Sequence, residues 1–78
     1  MTDELQPLPV QGYKAQSQET VDLVNENKKI EEECLQILDY LATRDDVDKR
    51  WLAIGRTNLE QAFMAINRSI FKPNRINL

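Results

Sequence analysis

From Leu23 onward the chain repeats at steps of four and three residues: Leu23, Asn27, Ile30, Cys34, Ile37 and Leu41, apolar except at Asn27. That spacing predicts an amphipathic helix ending near Thr43, because residues three and four apart share a helix face. Ser17 stands where an N-cap belongs, and Glu19 and Asp22 follow near the positive end of the helix dipole. The polar Asn27 has two readings. A buried Asn at a helix crossing fixes register, or the seam opens to water there; Lys28 and Lys29 follow at once and favour the second.

A second periodic segment runs from about Asp48 to Phe71, where Pro73 stops it. The acidic turn RDDVD offers Asp45 or Asp46 as its cap. On a wheel of about 100° per residue, Trp51, Leu52, Gly55, Leu59, Ala62, Phe63, Ile66 and Ile70 form one broad arc, the expected core face. Gly55 interrupts it. Glycine inside a helix costs about 1 kcal/mol against alanine, so either another backbone packs closely beside Trp51 or a flat ligand passes there. Residues before Ser17 include Pro7, Pro9 and Gly12 and show no periodicity, which predicts an extended arm. The expected architecture is therefore all-α: an arm over 1–17, an antiparallel two-helix hairpin over 18–73 and a tail over 74–78.

Length adds a constraint. A chain of 78 residues is one domain at most and buries only about 60% of its unfolded surface, so help from further copies is expected. Disulfides offer none, because Cys34 is the only cysteine, which also fits a reducing compartment. The opening MTDELQ lacks the basic start and apolar run of a secretory signal, and no apolar segment approaches the ~20 residues of a membrane span. A soluble cytoplasmic protein is expected.

The net charge of -3 argues against a general binder of duplex nucleic acid. Its distribution is uneven: Met1 to Asp46 holds 4 basic and 11 acidic residues, Val47 to Leu78 holds 6 basic and 2 acidic. The two halves should attract, within a chain or between chains. On the second helix Thr57, Gln61, Arg68 and Lys72 share a face apart from the core arc, with Arg56 and Asn67 as a neighbouring stripe. A solvated surface explains such a face in most helices. Here Glu60 is the only acid after Asp48, and an unneutralised row of donors suits an anion with several oxygens, such as a phosphodiester. In the arm, GYK sets Tyr13 beside a glycine and a cation. The ring either stacks on a nucleobase or staples the arm to the helices.

Catalysis is hard to build from this chain. It has no histidine, and Cys34 lies on the seam, where a thiol is inert. Glu31, Glu32 and Glu33 point about 100° apart on a helix and cannot all face one ion, so no metal site is expected, and no cofactor motif is present.

The segments GYK, VNENKKIEEE and DKRWLAIGRTNLEQAFMAINRSIFKP together resemble the small helical-hairpin proteins with which phages block cyclic-oligonucleotide immune signalling, the anti-CBASS and anti-Thoeris sponges. The resemblance spans Gly12 to Pro73, and RWLAIGRT with QAFMA is its most specific part. It implies a protein that holds an immune messenger without cleaving it, and so no enzyme, working in the cytoplasm of an infected bacterium as an interlocked homo-oligomer, commonly a hexamer. It further implies cyclic dinucleotide pockets between protomers, with Tyr13 stacking on a base, Lys28 meeting a phosphate, and Gly12 and Lys14 flanking. A separate cyclic trinucleotide site near the oligomer axis would fall to Arg68, with Arg56 and Thr57 as further candidates. The competing expectation is a hairpin that inhibits a host protein by direct contact. It would carry an exposed apolar patch and ignore nucleotides.

Overall fold

In the computed structural model, residues 15–76 are described. Two helices account for most of them: α1, Gln18–Ala42, and α2, Lys49–Phe71, packed on one another as a hairpin with no strand among the described residues. The start of α1 follows from its cap. Ser17 is extended, and its hydroxyl accepts from the Thr20 N–H at 3.2 Å. At the other end Thr43 donates its hydroxyl to the Tyr40 carbonyl at 2.6 Å. The Lys49 ammonium donates back to the carbonyls of Leu41 and Arg44, so the first residue of α2 ties down the end of α1.

The cap of α2 is Asp48, not Asp45 or Asp46 as the acidic turn had suggested. Its carboxylate accepts from the Trp51 N–H at 3.0 Å, which requires a residue immediately before the first helical one. Asp46 is occupied elsewhere: Arg44 forks onto it at 2.8 and 2.7 Å and also reaches the Tyr40 hydroxyl at 3.2 Å. These contacts raise the Arg44 pKa, with Asp46 the larger cause and Tyr40 the smaller, and hold the Asp46 carboxyl below its usual range. Helix α2 closes at Lys72, whose left-handed φ of 44° breaks right-handed geometry directly before Pro73 while its N–H still bonds the Arg68 carbonyl at 2.7 Å.

The inner face differs from the one the periodicity suggested. On α1 the shielded positions are Thr20, Val21, Val24, Asn27, Glu31, Cys34, Leu35, Leu38 and Leu41, whereas Leu23, Ile30 and Ile37 are exposed. On α2, Leu52, Leu59, Phe63 and Ile70 are shielded as expected, but Trp51, Gly55, Ala62 and Ile66 are exposed, and Arg56 and Asn67 turn inward instead of lying on the surface stripe. A lone hairpin covers only a narrow strip of each helix, while the apolar arcs are wider than that strip. The remainder shows: Trp51 is 64% exposed and Ile37 60%. Helix geometry in an antiparallel pair puts Leu23, Ile30 and Ile37 on the same side as Trp51, Gly55, Ala62 and Ile66, giving one continuous apolar face.

Only Val24, at 4% exposure, is fully buried among the described residues. Polar pairs do much of the positioning. Asn27 donates to the Asn67 side chain at 3.1 Å across the hairpin, so of its two readings the crossing is the one found. Arg56 donates to Asp39 at 2.5 Å, and Gln16 to the Phe71 carbonyl at 2.9 Å. Asn27 and Asn67, and likewise Asp39 and Arg56, stand about equally far on either side of Val47 in the turn, so each pair specifies the same antiparallel register.

Candidate functional site

Lys28 lies near the middle of α1, on the flank away from the apolar face. It is exposed, and among the described residues its ammonium has no partner; Lys29 by contrast pairs with Glu26 at 3.9 Å. Gly12, Tyr13 and Lys14, the remaining residues expected at the dinucleotide pocket, lie outside the described residues.

Helix α2 carries the second group. Thr57 and Arg68 are exposed, as the wheel required, with no side-chain partner among the described residues. Arg56 is different. Its guanidinium is 35% exposed and already paired to Asp39, which itself is 67% exposed. Ala42, Lys49, Leu52, Ala53, Arg56 and Thr57 line a shallow groove of about 320 Å³ at the turn end of the hairpin, and a neighbouring one of about 280 Å³ continues along Ala53, Ile54, Thr57 and Asn58. The structure thus brings Arg56 and Thr57 together on one groove. It does not bring Arg68 to them in the same chain, because Arg68 lies twelve helical steps beyond Arg56, about 18 Å along the axis.

Chemically this surface offers donors. Lys49 brings positive charge to the groove, although its ammonium is committed to the α1 carbonyls. Arg56 keeps N–H groups beyond the one given to Asp39, and the Thr57 hydroxyl both donates and accepts. Such a set recognises an anion with several oxygens. Among the described residues no group of three or more His, Cys, Asp or Glu side chains is placed to hold a metal ion, and no helix is long and apolar enough to cross a membrane. Sequence reasoning missed Asp39. The available signal was its distance from the turn, which matches that of Arg56 on the other helix.

Comparison with known proteins adds what geometry in one chain leaves open. The family model described as the Acb2/Tad1 hairpin domain matches residues 6–71. The chain belongs to the Acb2/Tad1 hairpin family. No curated protein matches it. Acb2/Tad1 is the anti-CBASS and anti-Thoeris sponge family, so membership implies, at the level of the family, a phage anti-defence role through cyclic oligonucleotides. The resemblance read from GYK, VNENKKIEEE and RWLAIGRT thus led to the right family. The Acb2/Tad1 match begins before the first helix, and Gly12, Tyr13, Lys14, Lys28, Arg56, Thr57 and Arg68 all fall inside it.

Proposed function

We propose that this protein binds cyclic di- and trinucleotide immune messengers and holds them uncleaved, lowering the free messenger below what CBASS-type effectors require. The observation that carries this reading is the family match over residues 6–71, which takes in both helices and the segment bearing Tyr13. In the dinucleotide pocket Tyr13 stacks on a base and Lys28 meets a phosphate, with Gly12 letting the backbone approach and Lys14 adding charge. An exposed ammonium with no partner among the described residues suits that role. Arg68, Arg56 and Thr57 serve the trinucleotide, with Arg68 supplied by other copies around an axis.

The protein works as a homo-oligomer, which we take to be a hexamer. The support is the continuous apolar face and, among the described residues, the single buried side chain, Val24. Ordering backbone costs about 1–2 kcal/mol per residue, and so small a core offsets little of it, whereas burying the face of Trp51, Ile30, Ile37 and Ile66 against other copies would offset much more. Assembly also forms the pocket walls before the ligand arrives, so little ordering cost remains at binding. Charge-assisted contacts at about 1.5–3 kcal/mol each and stacking at about 1–3 kcal/mol per base then approach the ~12 kcal/mol of a nanomolar complex. Sequestration needs only affinity and abundance; no bond in the ligand breaks.

The same apolar face favours a second reading, in which the hairpin docks on a host protein. Calorimetry against cyclic di- and trinucleotides separates the two. Tyr13→Ala and Lys28→Ala should each abolish dinucleotide heat while leaving helical content and assembly size unchanged. Absence of heat from every cyclic ligand with the unaltered protein would reject the sponge in favour of the docking module.

A further inference from the structure

Among the cations expected to hold phosphate, Arg56 already has an anion. Its Nη2 donates to Asp39 Oδ1 at 2.5 Å, joining the two helices across the edge of the groove that Thr57 also lines. Only one oxygen and one guanidinium nitrogen take part, so the contact is not the two-point fork that a guanidinium can make with a phosphate or an end-on carboxylate. Asp39 is the more exposed partner, at 67%, so its charge is open to any dissolved anion that approaches Arg56.

Building on the proposed trinucleotide site, we infer that Asp39 sets the affinity of that site, a resident carboxylate that competes with ligand phosphate for Arg56. A phosphate approaching Arg56 meets a like charge in direct contact with the same guanidinium. It must either share the cation with Asp39 or displace it, and in both cases the repulsion weakens binding. Asp39 therefore lowers the affinity of every ligand whose phosphate meets Arg56, and a ligand that meets Arg56 of several copies loses the most.

The test is a titration of the full chain with adenosine monophosphate and with cyclic triadenylate, before and after Asp39→Asn. The substitution keeps size and removes charge at an exposed position. Binding of the monophosphate should tighten about tenfold or more, and binding of the cyclic ligand by at least as much. In an Arg56→Gln background, Asp39→Asn should leave monophosphate binding unchanged. Asp39→Ser gives the same readout if the Asn variant folds poorly. Unaltered or weaker monophosphate binding in both variants would overturn the assignment, as would an equal gain that persists in the Arg56→Gln background. Failure of the trinucleotide reading is seen separately, as an unaltered protein that takes up no cyclic triadenylate.

Discussion

At the residue scale, the hairpin is aligned by polar groups at positions where apolar ones would also fit. Asn27 and Asn67 are half-shielded and satisfy each other at 3.1 Å. Asn67→Ala removes the acceptor and leaves an amide donor between helices, so a loss of about 1 kcal/mol is expected in chemical denaturation, while the paired change to Leu at both positions should recover most of it. The Arg44 and Asp46 fork at the turn gives a pH signature. The Asp46 carboxyl is held below its usual range, chiefly by the hydrogen bonds from Arg44. A depressed folded value means that the contribution is present above the unfolded carboxylate pKa of ~3.9 and is lost as pH falls through the folded one. Thermal melts should therefore show Asp46→Asn less stable than the unaltered protein at neutral pH, with the gap closing in acid; since both groups are exposed, the gap is small.

At the scale of the helix, both elements and nearly all of their ends were legible in the sequence. Ser17, Thr43 and Pro73 mark boundaries through hydrogen bonding and steric exclusion, which act locally and need no tertiary information. The cap of α2 was not, because RDDVD contains three acids and only the final register decides that Asp48 sits over the Trp51 N–H. Which part of each apolar arc faces the other helix was also hidden. Periodicity gives the direction of an arc, whereas the choice of Val24 over Leu23 depends on packing. Gly55 belongs to this scale too. A methyl built there meets nothing within 4 Å, so close packing inside the hairpin does not explain the glycine. For the isolated chain Gly55→Ala should raise helix stability by up to ~1 kcal/mol, read by circular dichroism at low protein concentration. If another copy's backbone crosses at Gly55, the same change lowers assembly stability at high concentration.

At the scale of the whole molecule, the account is that a hairpin too thin to bury its own apolar arcs completes them with further copies. The candidate site shares this dependence: Lys28 and the Arg56 groove are on one chain, yet Arg68 lies about 18 Å away along α2, and nothing in one sequence states which copies meet. The family could be read from long local segments, while the pocket could not, because the proposed site draws on more than one chain. Ile30→Asp, on the exposed face, should reduce assembly size and helical signal together and make melting strongly dependent on concentration. A chain that keeps its size and stability after this change would have its apolar face turned to something other than itself.

Native mass spectrometry of the purified protein mixed with cyclic di- and trinucleotides tests the central claim most directly, because it counts subunits and bound ligands in the same spectrum. The account predicts a closed oligomer, most simply six chains, carrying cyclic nucleotides whose released masses equal those of the ligands supplied. A monomer without ligand, or release of linear products, would contradict it.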